Sequence, residues 1–131
     1  MDELPIRSGD DVVRIRQQVR TAAADSGLSL VDQTKVVTAA SELARNTLVH
    51  GGGGTARVEL VKVGNGRKGV RIGFTDEGPG IPDVAKALTD GWTTGNGLGL
   101  GLSGARRLVD EFELSSQPGA GTNVVVVKWS R

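Results

Sequence analysis

Glu42 and Asn46 are two polar side chains whose types and spacing suit chemistry. They occupy positions i and i+4 of a predicted helix, so they point in the same direction. An amide oxygen suits Mg²⁺, which prefers hard oxygen ligands, and a carboxylate can orient or deprotonate a hydroxyl nucleophile. The alternative is an ordinary half-exposed polar pair that flanks the apolar stripe of the helix.

Asp76 ends a predicted strand, and its side chain lies on the face that the strand buries. It shares the parity of Ile72 and Phe74, so its carboxylate needs hydrogen-bond donors. An adenine amino group would be a suitable donor, and Gly78 and Gly80 leave room for a flat ligand against the backbone. The alternative is a strand-end aspartate that caps its own turn.

A glycine-rich stretch, residues 95–102, precedes another predicted helix. Its alternating glycines Gly97, Gly99 and Gly101 expose backbone N–H groups, and the start of a helix adds positive potential that can hold phosphate oxygens. The stretch matches neither the phosphate-loop motif nor the dinucleotide fingerprint, and a flexible connection is the alternative. Thr122 opens the last strand, where its hydroxyl could complete a contact with the base or belong to an ordinary β-branched strand residue.

The elements that must position these residues follow from hydrophobic periodicity and turn signals. In chain order we predict a strand Leu4–Arg7, a helix from Ser8 to Gly27, a helix from about Asp32 to His50, strands Ala56–Val63 and Val70–Thr75, a short helix Asp83–Leu88, a mobile loop Thr89–Gly99, a helix from Leu100 through Phe112, and strands Glu113–Ser116 and Thr122–Trp129. Within the loop, we expect Thr89–Gly97 to be disordered or variable without nucleotide. This order predicts one α/β domain over residues 1–131, a two-layer sandwich in which three helices cover one face of a mixed sheet of four or five strands.

Composition excludes several classes of protein. The 131 residues suffice for a single core, and a formal net charge of +1 gives no basic field for nucleic acid. Without cysteine there are no disulfides or thiolate metal sites, and the lone histidine, His50, is a poor metal site. No apolar run could span a membrane and no signal peptide is visible, so we expect a cytoplasmic protein.

The four features together resemble the GHKL ATPase superfamily, which shares the Bergerat ATP-binding fold. The resemblance rests on Glu42–Asn46, Asp76–Gly80, Gly97–Leu102 and Gly121-Thr122. It implies ATP and Mg²⁺ as cofactors. The implied roles are general base or nucleophile-orienting residue for Glu42, Mg²⁺ ligand for Asn46, adenine hydrogen-bonding for Asp76, nucleotide entry for Gly78 and Gly80, phosphate binding for Gly97, Gly99, Gly101 and Leu102, and a contact on the adenine side for Thr122.

The small size narrows the resemblance to the anti-sigma-factor type of serine/threonine kinase, closest to the RsbT-type switch kinases. Ser41–Asn46, Asp76–Pro82, Asp110–Phe112 and the Lys128-Trp129 ending carry it. It implies a kinase that phosphorylates a STAS-domain antagonist and switches to a second partner, a PP2C-type phosphatase or a sigma factor, with a homodimer left open. The alternatives are a nucleotide-gated anti-sigma factor with little kinase activity and a detached histidine-kinase domain. The last is disfavoured because no helical hairpin with an acceptor histidine precedes the site.

Overall fold

The computed structural model describes residues 3–78, 101–116 and 119–131 and arranges them as a five-stranded sheet with three helices. The strands are β1 (Glu3–Ile6), β2 (Gly54–Lys62), β3 (Lys68–Asp76), β4 (Glu111–Ser116) and β5 (Thr122–Trp129), and the helices are α1 (Gly9–Asp25), α2 (Leu30–Val49) and α3 (Gly101–Arg107). The strand order across the sheet is β1-β2-β3-β5-β4. The predicted two-layer α/β architecture is confirmed, and the bounds of β5 are those predicted.

The direction of the strands corrects one prediction. All four pairings among the described strands are antiparallel, so the expectation of a mixed sheet is wrong. Two helices, α1 and α2, lie between β1 and β2, and they return the chain to the end of the sheet from which β1 left. The tight connections between β2 and β3 and between β4 and β5 produce antiparallel neighbours directly.

Helix α2 carries two of the candidate residues, and its ends are well defined. The Ser29 hydroxyl accepts a hydrogen bond from the Asp32 N–H at 3.1 Å and caps the helix. The helix therefore begins at Leu30, two residues before the predicted start. At the other end the N–H of His50 donates to the Asn46 carbonyl at 2.9 Å. The glycine run that begins at Gly51 then ends the helix, as predicted.

The core lies between the helices and one face of the sheet. Leu43 of α2 and Ile72, Phe74 and Val126 of the central strands are almost fully buried there. On the other face the arginines and threonines of β2 and β3 are wholly or partly exposed, and no described helix covers them. The polar loop of the β2–β3 hairpin is confirmed by a hydrogen bond from the Arg67 N–H to the Asn65 side chain at 2.9 Å.

Helix α3 is shorter than predicted. It ends at Arg107, and the Asp110 N–H already donates to the Val127 carbonyl at 2.9 Å. Phe112 therefore lies in β4, paired with Val126, and the prediction that it continues the helix is wrong. The spacing of four residues from Leu108 to Phe112 fits one helix face, but it fits a turn followed by an inward-facing strand position equally well.

Candidate functional site

The predicted base-contacting residues meet at one edge of the sheet. The strand register places Gly54 of β2 opposite Asp76 of β3, Asp76 opposite Thr122 of β5, and Thr122 opposite Ser116 of β4. At this end of the sheet, the four residues that lie side by side across the strands are therefore small or polar. The residues two positions further along each strand, on the same face, are apolar. Helix α2 ends at this edge, because only Gly51–Gly53 separates its C-cap from β2.

The Asp76 carboxylate is half-buried, and backbone donors hold it in place. Its Oδ1 accepts hydrogen bonds from the N–H of Gly78 at 2.9 Å and from the N–H of Thr122 at 3.2 Å. No described residue donates to its Oδ2. The turn-capping alternative is thus present in the bond to Gly78, yet the same carboxylate keeps an acceptor atom for a ligand.

Glu42 and Asn46 lie on α2 as predicted, and both are half-buried. Neither side chain forms a hydrogen bond or ion pair with another described residue. The Asn46 carbonyl, by contrast, accepts hydrogen bonds from the N–H groups of His50 and Gly51 at 2.9 and 3.2 Å. These two bonds hold the backbone of the last turn of α2 at Asn46.

Close packing of the backbone surrounds Asp76. Gly121 has a φ of +82°, and a Cβ there would collide with the Asp76 carbonyl oxygen. A Cβ at Gly54 would collide with the Thr75 carbonyl oxygen and lie 2.8 Å from Cγ2 of Thr47. The glycines on both sides of β3 thus let neighbouring strands and α2 approach the end of this strand.

The predicted phosphate segment is only partly within the described residues. Gly101 is the first residue of α3, and the Leu102 side chain is buried in the core, so only the backbone of Leu102 could face a ligand. Gly80, Gly97, Gly99, the short helix predicted over Asp83–Leu88 and the loop predicted over Thr89–Gly99 lie outside the described residues.

One site feature was missed from the sequence. The hydroxyl groups of Ser116 and Thr122 lie 3.0 Å apart, and the Ser116 Oγ donates to the Gly121 carbonyl at 3.0 Å. Ser116 therefore closes the sheet edge beside Thr122. A serine that ends the strand before a glycine turn is the signal that could have indicated it.

The opposite end of β5 holds a second missed feature, a buried ion-pair network. Lys128 is buried, and its Nζ lies 3.4 Å from Asp110 and 3.7 Å from Asp32. Burial raises the pKa of Asp110, but the hydrogen bond from the Trp129 N–H and the positive charges of Lys128 and Arg131 outweigh it, so this pKa lies below its ordinary value. The network anchors the N-terminus of α2 to the sheet, far from the predicted ligand site.

The described residues contain neither a cluster of metal-ligating side chains nor a membrane-spanning helix. Within residues 3–78, 101–116 and 119–131, no three His, Cys, Asp or Glu side chains gather in a way that could hold a metal ion. None of the described helices has both the length and the apolar composition needed to cross a membrane.

Comparisons with known proteins identify the family to which the chain is similar. The family model described as "Histidine kinase-, DNA gyrase B-, and HSP90-like ATPase" matches residues 31–130. The serine/threonine-protein kinase RsbT of Bacillus subtilis is 46% identical over 121 residues, 92% of this chain and 90% of its own length. The anti-sigma F factor of Thermoanaerobacter sp. is 30% identical over 117 residues, 87% of this chain and 82% of its own length.

Solved structures share the fold at lower sequence identity. The RsbU and RsbW domains of a Mycobacterium tuberculosis protein match all of this chain with a TM-score of 0.64 and 23% identity, and this chain spans 33% of that longer one. In the SiaB–SiaC complex of Pseudomonas aeruginosa, one chain matches 98% of this chain over 89% of its own length, with a TM-score of 0.54 and 18% identity. These likenesses concern the fold alone.

Proposed function

We propose that this chain, which belongs to the family of histidine kinase-, DNA gyrase B-, and HSP90-like ATPases, is an ATP-dependent protein serine/threonine kinase of a partner-switching stress pathway. One observation carries the proposal, the 46% identity to the kinase RsbT over nine-tenths of both chains. Membership in an ATPase family implies ATP binding. The sheet edge at Asp76 supports that use, because it offers a fixed carboxylate with a spare acceptor atom.

Each candidate residue then has a definite task. Oδ2 of Asp76 accepts a hydrogen bond from the adenine amino group, while Gly78, Gly80 and Thr122 border the base. The Asn46 amide oxygen would hold a Mg²⁺ ion, which prefers hard oxygen ligands. Glu42, one turn earlier, accepts the proton of the attacking hydroxyl or orients it.

Phosphoryl transfer suits a site of this kind. The acceptor oxygen forms a bond to the γ-phosphorus, the bond to the departing ADP oxygen breaks, and the hydroxyl proton leaves toward Glu42. Backbone N–H groups of Gly97, Gly99, Gly101 and Leu102 would stabilise the charge on the phosphates, and a bound metal ion would supply further positive charge there. Most of the catalysis is therefore positioning and electrostatics. The acceptor Ser or Thr comes from a STAS-domain protein, so the reaction takes place at an interface.

A transfer assay with matched variants tests the proposal. With Mg-ATP and a STAS-domain acceptor, the protein should form an acid-stable phosphoester. Glu42→Ala should abolish transfer while nucleotide binding persists, and Asp76→Asn should weaken nucleotide binding itself. Glu113→Ala, which changes an exposed carboxylate on β4, is the control and should behave as wild type.

Three results would contradict parts of this assignment. Acid-labile phosphate would indicate a histidine acceptor instead of serine or threonine. Wild-type transfer by both Glu42→Ala and Asp76→Asn would show that the site is wrong. Calorimetry with Mg²⁺ that detects no heat for either ATP or ADP would show that there is no nucleotide site.

A second candidate function is a nucleotide-gated anti-sigma factor with little kinase activity. The 30% identity to an anti-sigma F factor over 117 residues favours it. A pull-down from the source cell distinguishes the two, because a STAS-domain protein or a PP2C-type phosphatase in the eluate supports the switch kinase and a sigma factor supports the alternative. In either case we propose that residues 1–131 form a single cytoplasmic domain that binds no nucleic acid. The domain is proposed to act as a monomer or as a homodimer.

A further inference from the structure

Gly51, the first residue after the C-cap of α2, lies directly against the Asp76 side chain. A Cβ at this position would collide with Cγ of Asp76 and would lie 2.6 Å from both its Cβ and its Oδ2. Real Cβ atoms do not approach other atoms so closely. The φ of Gly51 is outside the left-handed region, so its backbone conformation is open to any residue. A side chain at position 51 would therefore occupy the space that the Asp76 carboxylate fills.

Gly51 is also fixed on its two other sides. Its N–H donates to the Asn46 carbonyl at 3.2 Å, which ties it to the last turn of α2. A Cβ on Gly78 would lie 2.8 Å from both Cα and O of Gly51, so the turn after β3 packs against it closely. Gly51 is therefore held between the helix that carries Asn46 and the strand end that carries Asp76.

We infer that Gly51 is a positioning residue for base recognition, which acts by setting the orientation of the Asp76 carboxylate relative to α2. The inference rests on the proposed function, because it takes Asp76 as the adenine-binding residue. Oδ1 is already occupied by the N–H groups of Gly78 and Thr122, so the carboxylate has one orientation in which both of its oxygens are useful. A methyl group at position 51 would displace Cγ and Oδ2 and disturb that orientation.

The chemistry of the base provides a direct readout. The 6-amino group of adenine donates a hydrogen bond to a carboxylate, and the 6-oxo group of hypoxanthine cannot. A hydrogen bond to a charged acceptor is worth about 1.5–3 kcal/mol, which corresponds to a preference for ATP over inosine triphosphate of about 10- to 150-fold. If Gly51 only stabilised the fold, its substitution would lower the affinities for ATP and ITP by the same factor and leave their ratio unchanged.

The experiment measures the dissociation constants of Mg-ATP and Mg-ITP by calorimetry for wild type, Gly51→Ala and a control. Gly73→Ala is the control, since a Cβ there meets nothing within 4 Å and it lies on the same strand as Asp76. Gly51→Ala should lose most of the ATP preference, and Gly73→Ala should keep it. Without nucleotide, the amide protons of Gly78 and Thr122 should also exchange faster in Gly51→Ala than in wild type. Both amides donate to Asp76, so displacing its carboxylate weakens their hydrogen bonds.

The outcomes separate this inference from the proposed function. A folded Gly51→Ala that keeps the wild-type ratio and the wild-type exchange of both amides overturns the inference and leaves the kinase proposal intact. Equal affinity of the wild type for ATP and ITP refutes the role of Asp76 itself. If Gly51→Ala does not fold, Gly78→Ala presses on Gly51 from the opposite side, and retention of the ratio there also overturns the inference.

A double variant gives a second test. If Gly51 acts only through the Asp76 carboxylate, Gly51→Ala should change the ATP-to-ITP ratio no further in an Asp76→Asn background. A further change in that background would show that Gly51 affects nucleotide selection by some other contact, and it would refute the inference.

Discussion

Replacing Lys128 with methionine should remove the cation from the buried network at the end of β5. The Lys128 side chain is only 4% exposed, and its Nζ lies 3.4 Å from Asp110 Oδ1 and 3.7 Å from Asp32 Oδ1. Methionine keeps an unbranched apolar stem that adapts to its surroundings. The substitution therefore removes the positive charge of Lys128 but keeps most of the packing. Asp32 and Asp110 are then left with Arg131 as their remaining cationic partner among the described residues.

The size of the loss follows from what remains. Removing one partner of a buried ion pair costs about 3–5 kcal/mol, mainly because the other charge is left buried. Arg131 still reaches both carboxylates, at 2.9 Å from Asp110 and 3.7 Å from Asp32, but its side chain is 60% exposed and solvent screens its charge. We therefore expect Lys128→Met to lower the free energy of unfolding by about 3 kcal/mol at pH 7, the lower end of that range.

Urea unfolding at pH 7 and pH 3 measures this loss, with equal m-values as the check for two-state behaviour. Lys62→Met is the matched control, because Lys62 is an exposed lysine near the end of β2, and it should change stability by less than about 0.5 kcal/mol. As pH falls through the lowered pKa of Asp110, the difference between Lys128→Met and wild type should shrink, since the protonated carboxyl no longer needs the cation. A loss no larger than that of Lys62→Met, or one that does not shrink in acid, would refute the reasoning.

Three further predictions concern the cap of α2, the acid sensitivity of the fold and its core. Ser29→Ala should cost about 1 kcal/mol in urea unfolding because the Ser29 hydroxyl caps α2 through the Asp32 N–H, and Ser8→Ala should cost clearly less, since the Ser8 side chain makes no capping hydrogen bond; equal losses would contradict this. The pKa of Asp110 is lowered in the folded state, so the stability it contributes is present above about pH 4 and is lost as pH falls through the lower folded pKa. Asp110→Asn should therefore flatten the acid limb of the stability profile, and an unchanged limb would show that other carboxylates dominate it. Phe74→Ala should cost about 3–5 kcal/mol, because Phe74 is almost fully buried in the centre of the sheet; thermal and urea unfolding would show a loss below about 2 kcal/mol if the core collapsed around the gap.

Local signals in the sequence sufficed for the elements nearest the site. The valine-rich run of β5 and the Asn65 turn between β2 and β3 predicted strands at the right places, because both signals depend on neighbouring residues only. Strand parity likewise predicted that Asp76 faces the layer its strand buries, and the structure puts it in line with Thr122. The roles assigned to Glu42, Asn46 and the phosphate-binding glycines stay predictions.

Features that depend on distant contacts could not be predicted in the same way. Lysine is almost never buried unless paired, and the partners of Lys128 are 18 and 96 positions away in the chain. The contact between Gly51 and Asp76 depends on how α2 docks onto β3, which no local pattern contains. Phe112 was assigned to a helix because a spacing of four residues does not distinguish a helix face from a turn and strand.

The glycines near Asp76 also limit how this protein could be made more heat-resistant. Exchanging glycine for alanine stabilises a protein when the native backbone accepts it, because the unfolded chain then has fewer conformations to lose. Gly9 and Gly73 qualify, since a methyl group at either position meets nothing within 4 Å. Gly51 and Gly121 do not, because a methyl group at either would strike Asp76, so thermostabilising libraries should vary the first pair and leave the second untouched.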